Sequence, residues 1–138
     1  MGWFGGRVEF ACDRETAFDY LVDPRRRPEW QSSLRRVSEV DGEPRVGQTW
    51  VDETKPGLKP RMRTTALDRP VRWSESGTWR FVRAELTLEL EDTASGCTVD
   101  YRFRIHALGP VGPALSALSG PAIGADLRRA ASILSSRT

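Results

Sequence analysis

One carboxylate falls where an apolar side chain is expected. Asp126 interrupts the helical pattern of apolar residues near the C-terminus, so its carboxylate would point toward the apolar side of that helix. A buried carboxylate requires a partner arginine, a water-filled cavity or a raised pKa. Asp126 is therefore a candidate for a polar group that orients a ligand or handles a proton. Alternatively, the helix is rotated and Asp126 pairs with Arg129 at the surface.

The strands supply further polar candidates for the same space. Tyr101 lies on the apolar face of a strongly alternating segment, which directs its hydroxyl inward. The alternation is weak around Glu53, Glu75 and the arginines at 61 and 63, so these side chains could also project inward. Acid and base groups that converge in a cavity can catalyse proton transfer. No catalytic residue is assigned from the sequence.

The sequence contains few histidine and cysteine residues that could act as catalysts or metal ligands. His106 is the only histidine, and alternation places it on the outer face of a strand with Arg104. Cys12 and Cys97 are too few for a structural zinc site or a disulfide framework. The sequence contains no nucleophile elbow, phosphate-binding loop or zinc-protease motif. We therefore expect no metal, no cofactor, and reduced thiols in a cytoplasmic protein.

Tryptophan is dense, with five in 138 residues. Each indole buries a large apolar area and offers one hydrogen-bond donor, which suits the wall of a cavity for an aromatic or lipid-like ligand. The same side chains could instead fill the core of a small protein. Four of them are candidates for the cavity wall: Trp30, Trp50, Trp73 and Trp79.

Basic residues cluster although the net charge is only +2. The run at 25–27 lies between two prolines and predicts a solvated turn; an anion-binding or membrane-surface patch is the alternative. No aromatic interleaving accompanies it, so we expect no nucleic-acid partner. Residues 107–125 are uncharged, but they contain three prolines and predict no membrane span. Residues 1–4 lack the basic start and apolar run of a signal peptide.

Hydrophobic periodicity predicts the elements that must position these side chains. A strand at 7–12 precedes a helix that starts at Asp13 and ends before Asp23, and a second short helix spans 26–31. Six strands follow, at 34–40, 47–54, 61–67, 72–76, 84–91 and 99–106. Their turns are too short to connect parallel neighbours, so the sheet is antiparallel, with one apolar and one charged face.

A long helix over 113–135 is left to cover the apolar face, bent or restarted at Gly120–Pro121. Leu118 and Ala122 lie on its apolar side. The alternation predicts that Leu86, Leu88, Tyr101 and Phe103 face this helix, and that Glu85, Glu89, Arg102 and Arg104 face solvent. The predicted fold is α+β, with one domain over 1–138 and a core at about 7–136.

Two segments near the N-terminus resemble a known superfamily. Phe18–Pro24 and Pro28–Trp30, followed by Gly47–Trp50 and Arg72–Trp73, are similar to START-like proteins, most closely the polyketide cyclase/dehydrase branch, or SRPBCC proteins. The resemblance departs at Cys12–Asp13, where Ala-Pro is usual. It implies a helix-grip, Bet v 1-like fold: a seven-stranded antiparallel sheet in the order 1-7-6-5-4-3-2, wrapped around a long C-terminal helix, with two short helices after strand 1.

The resemblance also implies a cavity between the sheet and the long helix. A small hydrophobic molecule, aromatic, polyketide-like or lipid-like, is the expected partner, and a weak homodimer is compatible with the sequence. The candidates for the wall are the four tryptophans together with Met62, Glu75, Leu88, Tyr101, Phe103, Leu118, Ala122 and Asp126.

Three functions fit these features. The first is a non-catalytic carrier or sensor of a small hydrophobic molecule. The second is a polyketide cyclase or dehydratase that uses Asp126, Tyr101, Glu75 and an inward arginine for acid–base chemistry. The third is a protein-binding module with an apolar patch at 109–113.

The implied strand order gives a prediction for the two cysteines. It places the first strand beside the seventh. Pairing Phe10 with Val99 would put both apolar sets on the core side and set Cys12 opposite Cys97.

Overall fold

A computed structural model of the chain describes residues 3–107 and 111–137; the side chains of 111–120 lie outside the description. The helices are α1 (Arg14–Val22), α2 (Arg27–Trp30) and α3 (Val111–Ser136), and a 3-10 turn at Pro24–Arg26 precedes α2. The strands are β1 (Phe4–Phe10), β2 (Leu34–Ser38), β3 (Thr49–Thr54), β4 (Arg61–Asp68), β5 (Arg72–Trp79), β6 (Val82–Thr93) and β7 (Gly96–His106).

The sheet has the predicted order, β1-β7-β6-β5-β4-β3-β2, and every neighbouring pair is antiparallel. Helix α3 packs on β1 and β7, and α1 and α2 lie between β1 and β2 in the chain. This arrangement confirms the predicted α+β fold, in which the sheet wraps around the C-terminal helix. The core lies between the sheet and the helices.

Local signals account for the start of α1 but not for the length of β5. The amide of Thr16 donates a hydrogen bond of 2.8 Å to Oδ1 of Asp13, which caps the helix as predicted. The prediction that β5 ends at Ser76, before Gly77, is wrong, because the strand continues to Trp79. A Cβ at Gly77 would lie 2.6 Å from Sδ of Met62, so the glycine makes room for that side chain inside the sheet.

The predicted faces of β6 and β7 are confirmed. Leu88 is fully buried, Leu86 and Tyr101 are also buried, and Glu89 is exposed. On the outer face, Arg102 is exposed, while Nη2 of Arg104 pairs with Glu85 at 3.3 Å and both side chains are partly buried. Phe103 is partly buried against the core.

The predicted pairing of the two cysteines is wrong. Phe10 lies opposite Cys97 and Val8 opposite Val99, so the register differs by two residues from the expected one. Both apolar sets still face the core, because side chains repeat every two residues along a strand. A Cβ at Gly96 would overlap the carbonyl oxygen of Phe10, so this glycine permits the close approach of the two strands at the observed register. Cys12 lies beyond the end of β1, and both cysteines are free thiols.

Helix α3 is assigned as one helix through Pro121, so the alternative that it restarts at Gly120–Pro121 is wrong. The side chain of Leu118 and the apolar patch expected at 109–113 lie outside the described residues. Within the described part of the chain, no helix is both long and apolar enough to cross a membrane.

Candidate ligand cavity

A cavity of about 380 Å³ lies between the inner face of the sheet and α3. This volume falls near the lower end of the range of small-molecule sites, roughly 300–1,000 Å³. Ser32, Ser33 and Ala122 are exposed and form its rim. Its wall comes from α2 and the following loop, from β5 to β7 and from α3: Arg27, Trp30, Gln31, Ser32, Ser33, Glu75, Leu86, Phe103, Ala122, Ile123, Asp126 and Leu127.

The apolar part of the wall follows from two spacings in the sequence. Leu86 and Phe103 are directly paired across β6 and β7, and they share the inner face. Ile123 and Leu127 are four residues apart in α3 and therefore lie on the same side of the helix. Trp30, which is 3% exposed, closes this surface from α2.

A buried ion pair forms the polar part. Nη1 of Arg27 donates to Oε1 of Glu75 at 2.9 Å, and Nη2 donates to Oε2 at 3.1 Å. Oε1 of Gln31 accepts from Nε and Nη2 of Arg27 at 2.9 and 2.7 Å. The side chains of Arg27 and Glu75 are only 2% and 7% exposed. The prediction of a solvated turn at 25–27 is therefore wrong for Arg27, while Arg25 and Arg26 are exposed.

Two indoles enclose the guanidinium. Cζ of Arg27 lies 5.1 Å from the ring centroid of Trp30 and 5.6 Å from that of Trp73, which is within the range of cation–π attraction. Burial alone would lower the pKa of Arg27, but the carboxylates of Glu75, Asp52 and Asp126 raise it. Arg27 is therefore a fixed positive charge and not a proton donor.

Asp126 is 9% exposed and reaches the cavity from α3. Its Oδ1 accepts hydrogen bonds from the amide of Ser32 at 3.2 Å and from Oγ of Ser32 at 2.8 Å. Asp126 is therefore buried on the apolar side of the helix, as its position in the helical pattern predicts, and Ser32 is its hydrogen-bond partner. Among the described residues no basic side chain forms an ion pair with it, so the alternative pairing with Arg129 is wrong.

Asp52 is a buried acid that the sequence analysis missed. It is 3% exposed, and Nε1 of Trp50 donates to its Oδ1 at 3.0 Å. Burial raises the pKa of Asp52 to about 6; Arg27 and the Trp50 hydrogen bond oppose the rise, and the charge of Glu75 adds to it. Asp52 lies behind the ion pair and does not line the cavity. Its two-residue spacing from Trp50 on β3 was the available signal.

The structure brings five of the predicted wall residues together: Trp30, Glu75, Phe103, Ala122 and Asp126 line the cavity. Four further wall residues were not predicted from the sequence: Arg27, Gln31, Ser32 and Ile123. The first three lie in α2 and the loop after it, where no periodic pattern marks an inward face.

The other candidates lie elsewhere. Trp73 and Leu88 are fully buried in the core. Trp50 and Met62 are buried as well and border a second groove with Arg61 and Arg63, which are exposed and do not project inward. Trp79 stacks under Arg80 at the end of β5.

Three polar residues named from the sequence also take other positions. The hydroxyl of Tyr101 lies against Gly6 and Gly124. Glu53 pairs with Nε of Arg36 at 2.9 Å. His106 lies on the outer face, 3.4 Å from Glu85. Among the described residues no group of three or more His, Cys, Asp or Glu side chains is placed to hold a metal ion.

A curved antiparallel sheet that grips a C-terminal helix, with a cavity between the two, defines the helix-grip class. The chain belongs to the family described as polyketide cyclase/dehydrase and lipid transport, whose model matches residues 4–137. No curated protein matches the sequence significantly.

Solved structures share this fold at low identity. MLL2253 from Mesorhizobium loti is 14% identical with a TM-score of 0.81, over 99% of this chain and 98% of that chain. DynU16, from the dynemicin biosynthetic locus, is 15% identical with a TM-score of 0.72; the match covers 98% of this chain and 48% of that chain. Ara h 8.0201 is 13% identical with a TM-score of 0.72, over 96% and 97% of the two chains. At these identities the similarity shows the fold alone.

Proposed function

We propose that this protein binds a small hydrophobic molecule, aromatic, polyketide-like or lipid-like, in the cavity between the sheet and α3. The observation that carries the proposal is the division of the cavity wall. Apolar side chains of α2, β6, β7 and α3 form one part, and Arg27, Glu75 and Asp126 form the other. Sites for small molecules combine a mostly apolar surface with a few polar groups that fix orientation.

The state of the polar groups favours binding over catalysis. Both oxygens of Glu75 accept hydrogen bonds from Arg27, so this carboxylate is already engaged by a protein partner. Oδ1 of Asp126 accepts two hydrogen bonds from Ser32. A general acid or base works best with a pKa near the working pH, and the buried acid with such a pKa, Asp52, lies outside the cavity wall.

A bulky side chain introduced at the rim of the cavity tests this proposal. Ala122 is an exposed helical residue on the rim, so Ala122→Trp should fill the entrance without disturbing the core. Ala125 is exposed on the same helix and does not line the cavity, so Ala125→Trp is the matched control. The probe is N-phenyl-1-naphthylamine, an uncharged molecule that fluoresces in apolar surroundings.

We expect saturable binding of the probe to the wild type and to Ala125→Trp. Affinity should fall at least about tenfold in Ala122→Trp, since the indole takes the place of ligand contacts. Equal affinity in the two variants would show that the probe binds elsewhere and would remove the cavity from the proposal.

The second candidate function is a polyketide cyclase or dehydratase. Three ionisable side chains, Arg27, Glu75 and Asp126, line one cavity in a chain of the polyketide cyclase/dehydrase and lipid transport family. A poly-β-keto thioester incubated with the protein would then lose water to form an aromatic ring, detected by mass spectrometry. Turnover that Asp126→Asn abolishes while the probe still binds would favour the enzyme; no turnover favours the carrier.

A cytoplasmic location, a weak homodimer and the absence of a nucleic-acid partner are further proposals from the sequence. Cell fractionation tests the first, sedimentation at rising protein concentration tests the second, and a mobility-shift assay tests the third.

A further inference from the structure

The cavity wall carries more negative than positive charge. Three of its residues are charged, one positive (Arg27) and two negative (Glu75 and Asp126), so the described wall has a net charge of −1. These charges lie in a largely apolar enclosure, where charge interacts more strongly than in water. The net charge therefore bears on which ligands can enter.

The single positive charge is not free to receive a ligand anion. Glu75 engages both terminal nitrogens of Arg27, and Gln31 engages Nε and Nη2. The indoles of Trp30 and Trp73 lie next to the guanidinium. A ligand carboxylate would have to break the bidentate pair and leave Glu75 uncompensated in the interior.

Asp126 adds a second negative charge, which feels the charge of Arg27 at a distance but forms no ion pair with a described residue. Its hydrogen bonds come from Ser32, whose amide and hydroxyl are neutral, and in the described part of the chain no basic side chain lies within ion-pair distance. A second carboxylate brought into the cavity would be repelled at short range.

The cavity does offer a hydrogen-bond donor for an uncharged group. Gln31 lines the wall and its Oε1 is held by Arg27, so its amide nitrogen is the group left for other partners. Nε1 of Trp30 has no hydrogen-bond partner among the described residues, but this atom is enclosed by its neighbours and does not reach the cavity surface. A carbonyl, hydroxyl or amide oxygen of a ligand would match the Gln31 donor.

We infer that the cavity selects ligands whose polar end is an uncharged oxygen-bearing group and rejects the carboxylate of the same skeleton. This inference rests on the proposed binding function and narrows it to a ligand class: ketones, alcohols, phenols and amides are accepted, and free acids such as fatty acids and aryl carboxylates are excluded.

A pair of near-isosteric ligands tests it. Binding of 2-naphthamide and 2-naphthoate is measured at pH 7.5 by displacement of N-phenyl-1-naphthylamine. The amide should bind at least about tenfold more tightly than the carboxylate, through the repulsion of one unpaired charge at short range and the cost of desolvating the anion. If the wild type binds 2-naphthamide less than about threefold more tightly than 2-naphthoate, the inference is overturned, whatever the variants show.

Asp126→Asn separates charge repulsion from the general desolvation of an anion, and it retains an oxygen that can accept from Ser32. We expect the affinity for 2-naphthoate relative to that for 2-naphthamide to rise about fivefold. The control, Glu91→Gln, removes the same charge from an exposed position on β6 and should change neither affinity. An unchanged ratio in a folded Asp126→Asn protein contradicts the role given to Asp126. If neither ligand displaces the probe and the probe itself does not bind, the proposed binding function fails, and this inference with it.

Discussion

The guanidinium of Arg27 and the carboxylate of Glu75 form a bidentate ion pair, with N–O distances of 2.9 and 3.1 Å, between residues 48 positions apart. The pair joins the first residue of α2 to the middle of β5 and is almost fully buried. It thereby fixes the short helix that carries Trp30 against the sheet, and both partners form part of the cavity wall.

Removal of one partner of this pair should destabilise the fold strongly. Glu75→Gln removes the ion-pair partner of the buried Arg27, and we expect the free energy of unfolding to fall by about 3–5 kcal/mol. Urea denaturation followed by tryptophan fluorescence measures the loss. The double variant Arg27→Met/Glu75→Met removes both charges and should recover much of it, because apolar replacements of a buried pair are often well tolerated.

The exposed pair between Arg7 and Asp100 is the control for this prediction, since its side chains are 63% and 40% exposed. Asp100→Asn should cost far less than Glu75→Gln, because exposed pairs contribute little. An equal loss in the free energy of unfolding in Glu75→Gln and Asp100→Asn would mean that the buried pair contributes no more to stability than the exposed one.

Asp52 should make stability depend on pH between 5 and 7.5. Its pKa of about 6 in the fold lies above the ordinary value of 3.8, so the folded protein binds this proton more tightly than the unfolded chain does. The stabilisation is therefore complete below pH 3.8 and is lost as the pH rises through 6. From pH 7.5 to 5, the wild type should gain about 1.4 kcal/mol relative to Asp52→Asn.

In Asp52→Asn the amide oxygen can still accept from Trp50, so the variant should be the more stable protein at pH 7.5. Thermal unfolding of both proteins across this pH range is the measurement. Parallel pH profiles would show that Asp52 titrates as in the unfolded chain.

Gly124 in α3 makes room for Tyr101. A Cβ at position 124 would lie 2.7 Å from the hydroxyl of Tyr101 and 3.5 Å from its Cζ, so only the hydroxyl is too close. Gly124→Ala should gain up to about 1 kcal/mol from helix propensity but lose about 1–3 kcal/mol through overpacking, a net destabilisation. In a Tyr101→Phe background the same change should be stabilising, because only ordinary van der Waals contacts remain. A double-mutant cycle of thermal stabilities shows whether the sign reverses.

The sequence was most informative where alternation was strong. Leu88 and Glu89 fall on opposite faces as predicted, because one apolar face in a meander leaves little freedom. The predicted register of β1 on β7 is wrong by two residues. A shift of two residues leaves every side chain on the same face of the sheet, so the alternation of apolar and polar residues cannot reveal it. The close approach of Gly96 to Phe10, which accompanies the observed register, is a contact between distant segments of the chain.

The residues of the candidate site were also predicted only in part. Asp126 is a candidate because it interrupts the helical pattern, and Glu75 because the alternation around it is weak. Arg27 is one of three consecutive arginines, and nothing in that run distinguishes the buried one from its exposed neighbours. Its burial depends on Glu75 and Gln31, and the partner on β5 comes within reach only in the folded chain.

The indole N–H resonances of the tryptophans test the central claim, binding in the cavity beneath α3, most directly. Trp30 lines the cavity, whereas Trp79 lies outside it under Arg80. In ¹H–¹⁵N spectra recorded during titration with 2-naphthamide, with Trp30→Phe used for assignment, we predict a saturable shift of the Trp30 signal and an unchanged Trp79 signal. A Trp30 signal that stays fixed at saturating ligand, or shifts confined to Trp79, would contradict the account.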